Sequence, residues 1–400
     1  MGISGLLPIL KPIARLRHLR EYRGKRVAVD AYSWLHKGAY TCSRELCEGV
    51  FTDKFVFYCM SRIQLMLSNG VVPVVVFDGC RMPSKNDEEE ARRRSRRENR
   101  ERALTHLQMG NLAAAEECFQ RSVDVTPAMA KQFIEALKDK GVAFVVAPYE
   151  ADAQMAYLAL NGDVWAVVTE DSDLLAYGCP RVLYKLDKMG NGEEICLDDL
   201  PLNQGVSFMG FSHTMFLEMC IMAGCDFLPS LPGIGAKRAY AHMKKFRSFV
   251  KVCKSLRFGG TAVPRDYEER FQLALWVFRH QRVFCKDLQG CTHLRPLPPG
   301  GIGMADVDVP SAVPQPTLLP PPSNSPEDID QFDAQQAALS DPLAFLGPWL
   351  PDSIAPHPAM QCHAATASCL AARRRAGGTR QKASGTGGTP SLSQRGCQAG

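Results

Sequence analysis

The sequence predicts an α/β protein: a mostly parallel, twisted sheet flanked by helices on both faces. Three observations predict it. Five short runs are rich in β-branched residues, helical patterns separate most of them, and acidic residues end several runs. The runs are "RVAVD" (26–30), "VVPVVVFD" (71–78), "VAFVVA" (142–147), "VWAVVTED" (164–171) and "RVLYKLD" (181–187). Helical periodicity marks "DKFVFYCMSRIQLMLSNG" and "PAMAKQFIEALKDKG", each closed by glycine. Such alternation builds a parallel sheet covered on both faces. These sheets bind ligands beyond the carboxyl ends of their strands.

The remaining segments follow in order. Residues 81–141 are too long for a plain crossover and read as two helices joined near Gly110–Asn111. The first is charged all round, so it is expected to stand over the acidic sheet edge and not in a core. "DKMGNGEEI" reads as a hairpin turn at Asn191–Gly192. Residues 205–258 read as helical. A Pro/Gly-rich linker or insertion is expected at 296–326, a short helical wrap within 327–350 and a disordered tail at 351–400.

The totals describe a soluble protein: 400 residues, 46% of them hydrophobic, with a net charge of +5. No apolar run approaches the roughly 18 residues of a membrane helix. No secretory signal is seen at the start, and Leu6 stands where a myristoylation site needs Ser or Thr. Fifteen cysteines without a CxxC pair suit reduced thiols in the cytosol or nucleus.

The acids carry the chemistry. Asp30, Asp78 and Asp171 end the first, second and fourth runs, and Glu150 and Asp152 follow the third. Asp173 lies two beyond Asp171, so in a continuing extended segment both point one way and Glu170 the other. Asp226 in "GCDF" completes a set of seven. A single acid is usually a solvated turn residue or helix cap. Several at successive parallel strand ends converge, and converging carboxylates need cations. Oxygen ligands suit Mg²⁺, and seven suit two ions, the pair that hydrolyses phosphodiesters. No calcium loop of EF-hand spacing is present.

Seven arginines fall between Arg92 and Arg102. A solvated helix face is the plain explanation. However, Lys85, Arg92 and Arg96 lie two and three helical turns along one side, close after Asp78. That placement favours phosphate contact. "LPGIGAKRA" sets Gly233 and Gly235 before a helix start bearing Lys237 and Arg238, which is either an ordinary turn or a backbone phosphate site. Tyr32 and His36, four apart after Asp30, suit core packing or stacking on unpaired bases.

Six separated blocks, "MGISGLLP", "VAVDAYSWLHKGA", "VVVFDG", "APYEADAQMAYL", "TEDSDLLAYG" and "GCDFLPSLPGIGAKRA", together resemble the flap endonuclease and xeroderma-group-G family of structure-specific 5′ nucleases. "PSKNDEEEARRRSRREN" and "AEECFQRSVDVTPAMA" are similar to its exonuclease branch. The resemblance covers about residues 1–295 and implies a PIN-like core. Within it would lie an N-terminal region (1–99), a helical arch (81–141), an internal region (138–229) and a helix-two-turn-helix (220–258).

The resemblance implies metal binding by Asp30, Asp78, Glu150, Asp152, Asp171, Asp173 and Asp226. Lys85 and Arg92 would contact the scissile phosphodiester. Gly2, Tyr32, His36, Arg96, Lys185, Gly233, Gly235 and Lys237 would touch DNA. It further implies two Mg²⁺, with Mn²⁺ able to substitute, and K⁺ at the helix-two-turn-helix. The expected partners are double-stranded DNA with 5′ ends, nicks, gaps or flaps, together with mismatch-repair proteins. The expected state is a nuclear monomer away from membranes, with "RRRAGGTRQK" as an import signal.

Four features depart from the family pattern: Phe227 where tyrosine is common, Pro229 and Pro232 before "GIG", the Pro-rich insertion, and a tail unlike the long C-terminal region expected to bind mismatch-repair partners. The rival readings are a DNA-binding scaffold without catalysis and a phosphatase or sugar transferase using "DSD".

Overall fold

Buried β-branched residues build the sheet that positions everything else. The computed structural model describes residues 2–298 and 343–346. Nine strands are described: β1 (Arg15–His18), β2 (Arg26–Asp30), β3 (Val72–Phe77), β4 (Ala143–Val146), β5 (Ala166–Val168), β6 (Arg181–Tyr184), β7 (Asn191–Cys196), β8 (Arg282–Cys285) and β9 (Gly290–His293). The first seven form one sheet in the order β1-β7-β6-β5-β2-β3-β4, and β8 pairs with β9 in a separate hairpin. Strands β2 to β6 run parallel, while β7 is antiparallel to both β6 and β1. The fold is α/β around a mostly parallel sheet.

Side chains alternate across this sheet, as the strand period requires. Val27, Val29, Val75 and Phe77 pack into one core with helices Ala31–Tyr40, Lys54–Ser68 and Pro127–Lys140. Ala28, Val74 and Val76 pack into the other, beneath helices Ala151–Leu160, His213–Ala223, Ala236–Phe246, Phe249–Phe258 and Tyr267–His280. From β2 the chain steps outward to β3 and β4, then returns to β5 on the opposite side of β2. The switch point lies between β2 and β5, where α/β sheets open a crevice at their strand ends.

Residues 81–141 contain the helix Asn86–Gln108, a turn at Met109–Asn111, the helix Leu112–Ser122 and then Pro127–Lys140. The first of these is almost wholly solvated, with Asn99 and Ala103 its buried residues.

The expected turn at Asn191–Gly192 is corrected by the structure. Both residues belong to β7. The turn falls earlier, where the Asp187 carboxylate accepts the N–H groups of Met189 and Asn191, each at 2.8 Å, and Gly190 adopts φ 92. A strand runs through "NGEEIC" because Glu194 is buried against the Tyr22 hydroxyl (2.5 Å), Arg17 (3.3 Å) and Arg181 (3.2 Å). Pairing satisfies a charge that would otherwise exclude a strand. Most of the expected linker and helical wrap, and all of the expected tail, lie outside the described residues.

One glycine fixes how β3 meets the segment after β4. The Gly79 N–H donates to the Tyr149 carbonyl at 2.7 Å and Cys80 to that of Pro148 at 2.9 Å. A Cβ on Gly79 would fall 2.0 Å from the Ala147 carbonyl oxygen. Backbone cannot yield as a side-chain tip does. Gly79→Ala is therefore expected to destabilise the fold by about 2 kcal/mol or more, read as a lowered midpoint in thermal denaturation. An unchanged midpoint would contradict this close approach.

Candidate active site

Seven carboxylates gather at the carboxyl edge of the sheet. Asp30 ends β2 and caps the helix Ala31–Tyr40: its Oδ1 accepts from the Ser33 amide at 3.1 Å, and its Oδ2 from the Ser33 hydroxyl and from Thr169 Oγ1 at 2.9 Å. Asp78 follows β3 and accepts from the Ala151 amide at 2.7 Å. Glu150 and Asp152 flank the start of the helix Ala151–Leu160. Asp171 and Asp173 follow β5, and Asp226 sits in the loop after the helix His213–Ala223.

Asp171 and Asp173 reach the site differently from the sequence expectation. The segment does not stay extended. Asp173 opens the short helix Asp173–Tyr177, and its amide donates to Asp171 Oδ1 at 3.0 Å. The first Asp caps the turn that carries the second. Glu170 points elsewhere and takes the Lys37 ammonium at 2.5 Å.

Electrostatics join the set. Burial, together with Asp30 and Glu150, pushes Asp78 up to about 7. Burial first, then Asp171 and Asp30, raises Asp152 well above the carboxylate range. Burial and neighbouring acids also raise Asp171 and Asp173. Asp226 goes the other way: burial works to raise it, but Lys85 and Arg92 together hold it below the ordinary range. All seven therefore share one field.

Among the described residues, no three His, Cys, Asp or Glu side chains close around a point as a finished metal cage. Lys85 occupies part of the crevice. Its ammonium lies against Glu150 and 3.0 Å from Asp226 Oδ2, while Arg92 reaches the same oxygen at 2.9 Å. A protein cation therefore bridges Glu150 and Asp226. The donor set still fits hard divalent ions, because the ligands are carboxylate oxygens and Asp173 Oδ1 is buried without a hydrogen-bond partner. An unsatisfied buried oxygen among like charges calls for a cation.

The other expected residues divide into two groups. Gly2 touches the acids: a Cβ there would lie 2.2 Å from Asp171 Oδ1 and 2.9 Å from Asp173 Oδ1, with φ 76 besides. Tyr32 and His36 are half-buried beside the edge. Burial and Asp78 push Tyr32 up to about 12, and burial lowers His36 against the pull of Asp30. Arg96 lies 3.4 Å from Asp124 and within electrostatic reach of His36.

Lys185 stands apart, past β6, with its amine on Glu193 at 2.9 Å. Gly233, Gly235 and Lys237 form a separate loop and helix start. Gly233 takes φ 78 and its carbonyl accepts from Arg238 at 2.9 Å; Gly235 precedes the helix Ala236–Phe246, which has no side-chain cap, and Lys237 is exposed.

Thr169 and Tyr177 are supporting residues that the sequence reading passed over. Thr169 Oγ1 donates to Asp30 and accepts from the Asp171 amide at 3.0 Å. The Tyr177 hydroxyl lies 2.9 Å from Glu150 Oε2 and 2.8 Å from Gln281 Oε1. Tyr177 falls four residues after Asp173, a one-turn spacing that was available as a signal.

The fold and site define an α/β protein whose acidic switch-point crevice is flanked by an arginine-rich helix. Two family models match it: the XPG N-terminal domain over residues 1–100 and the XPG I-region over residues 141–226. Exonuclease 1 of Arabidopsis thaliana is 51% identical over 294 residues, covering 74% of this chain and 40% of the relative. The DNA damage-inducible protein DIN7 of Saccharomyces cerevisiae is 34% identical over 300 residues, covering 74% of this chain and 70% of the relative. The catalytic core of Rad2 in complex with DNA substrate has a similar fold, with a TM-score of 0.51 and 20% identity over 68% of this chain and 85% of that one. The chain belongs to the XPG family, in its exonuclease 1 branch. It spans about two fifths of the length of the curated exonuclease 1 relatives it matches.

The raised carboxylates set a pH dependence. A group raised in the folded state carries no penalty below the ordinary carboxylate range, and for Asp78 the penalty is complete above a pH of about 7. Cations relieve it only where the acids are ionised. Mg²⁺ is expected to raise the melting temperature more at about pH 8 than at about pH 5.5, measured by differential scanning fluorimetry. Equal increments at both would contradict the shared acidic field.

Proposed function

We propose that the chain is a Mg²⁺-dependent 5′→3′ exonuclease on double-stranded DNA with 5′ flap endonuclease activity, serving DNA repair and recombination in the nucleus. One observation carries this: seven carboxylates in one crevice, with Lys85 and Arg92 reaching in from the arginine-rich helix and the turn before it. The names of the relatives, exonuclease 1 and a DNA damage-inducible protein, support it, as does the similar fold solved on a DNA substrate.

Asp30, Asp78, Glu150, Asp152, Asp171, Asp173 and Asp226 would hold two Mg²⁺, for which Mn²⁺ can substitute, and Gly2 is small enough to leave Asp171 and Asp173 open. Bound there, the ions would activate water and stabilise both oxygens of an in-line displacement. The chain supplies the rest. Ser33, Thr169 and the Ala151 amide hold Asp30 and Asp78 in place before substrate arrives. Lys85 and Arg92 rest on Glu150 and Asp226. With cations on those acids, Lys85 and Arg92 would be free to offset the charge of the scissile phosphate.

Tyr32 and His36 both stay neutral at neutral pH, since burial raises one and lowers the other, so they can stack on bases at the cut. Arg96 would take a phosphate beside them. Gly233, Gly235 and Lys237 would grip the duplex through helix N-terminal amides, with K⁺ bound at the loop. Lys185 would meet DNA only outside the crevice. The substrates are duplexes with 5′ ends, nicks, gaps or flaps, taken by a monomer, and mismatch-repair proteins are the expected partners.

The test is cleavage of labelled 5′-recessed and 5′-flap duplexes with Mg²⁺. Asp173→Ala is expected to cut at least about 100-fold more slowly, and Lys85→Ala to lose about as much in kcat with little change in KM. Intact substrate with the wild-type protein, or equal cutting by Asp173→Ala, would overturn the proposal.

A further inference from the structure

After Pro298 the described chain resumes at Leu343–Leu346, and this short segment lies against the elements that carry three catalytic side chains. Leu346 is fully buried, at 0% exposure, and its amide donates to the Leu343 carbonyl at 2.9 Å. It shares a small apolar cluster with Met82, Tyr149 and Val277, against which Phe227, Leu343 and Phe345 also pack. Met82 lies three residues before Lys85, Tyr149 directly precedes Glu150, and Phe227 directly follows Asp226. The cluster thus underlies the Lys85 bridge between Glu150 and Asp226.

The connection to the chemistry is continuous. The Lys85 ammonium lies 5.2 Å from the centre of the Phe227 ring. Phe227 meets Phe278 edge-on at 5.2 Å, and Phe278 packs at 4.7 Å on Tyr177, whose hydroxyl reaches Glu150. Phe345 also lines a cavity of about 780 Å³ whose wall includes Asp226, Ser84 and Gly2. The four buried residues of the cluster belong to neither core on the sheet faces, and Phe227 is the side chain that packs against both this cluster and one of those cores. Because none of the four buried residues is a member of a sheet-face core, loss of Leu346 would loosen the base of the arginine-rich helix more than the sheet. Packed groups shift as units, so a void at this point moves the side chains above it.

We infer that Leu343–Leu346 is a positioning element of the active site, supplied from beyond the residues matched by the family models: Leu346 holds the Met82–Lys85 turn, Tyr149–Glu150 and Asp226–Phe227 in catalytic register. This rests on the nuclease reading above. A misplacement of about 1 Å costs up to about 100-fold in rate. Leu346 acts through apolar packing beneath Lys85, Glu150 and Asp226, groups of the chemical step, so its effect falls on kcat more than on DNA affinity.

The experiment uses the full chain with Leu346→Ala and Leu346→Met, measuring kcat and KM on the 5′-recessed duplex and hydrogen exchange across the chain. The expected result for Leu346→Ala is a kcat at least about tenfold lower with KM within about twofold of wild type. Exchange should quicken at 79–88 and 148–152 while the sheet amides keep their rates. Leu346→Met, close in volume, should recover most of kcat. Unchanged kcat, a change confined to KM, or exchange quickened throughout the sheet would overturn the inference. A wild-type protein that cuts nothing would sink the nuclease reading alone, since the exchange pattern judges the placement of Leu346 independently.

Discussion

Mutual repulsion among buried carboxylates is the constraint around which this structure is organised. Asp78, Asp152, Asp171 and Asp173 are all driven toward the protonated form by burial and by neighbouring acids of the site. A fold gains nothing from such an arrangement by itself, because unpaired buried charge is costly. The chain tolerates it through local devices: the Ala151 amide on Asp78, Thr169 and Ser33 on Asp30, and Lys85 with Arg92 at Asp226. These devices hold the acids in place without neutralising them all. What is left over is the net negative field on which the proposed metal binding rests.

The topology explains why the acids meet. Parallel strands present their carboxyl ends on one edge, and the switch between β2 and β5 opens that edge at Asp30 and Asp171. The arginine-rich helix cannot bury its surface, so it serves as a charged flank of the crevice, and Arg92 reaches from it to Asp226. Lys85 has two partners in turn on this account. It pairs with Glu150 and Asp226 in the structure, and under the proposed function it would turn to phosphate once cations held those acids.

Much of this was legible because the informative residues obey simple periodicities. β2 and β3 are β-branched runs closed by Asp, and buried parallel strands have little other way to look. β1 and β7 were not legible, since "RLRH" and "NGEEIC" are polar and form strands only once Glu194 finds Tyr22, Arg17 and Arg181 across the sheet. The course of Asp171–Asp173 was misread because side-chain capping of the Asp173 amide outweighs the extended preference of the run before it. The sequence reading put Leu346 within a short helical wrap, but it could not name the partners, Met82, Tyr149 and Val277, on which that residue packs. Its partners lie far away in sequence, so its burial is purely a tertiary effect.

The central claim is that these seven acids form one pocket for paired divalent ions. Counting Mn²⁺ bound per chain, by electron paramagnetic resonance titration at neutral pH, tests it most directly. Two coupled ions, falling to one or none when Asp171 is replaced by Asn, is the predicted result. A wild-type chain that binds no Mn²⁺, or a count indifferent to that replacement, would contradict it.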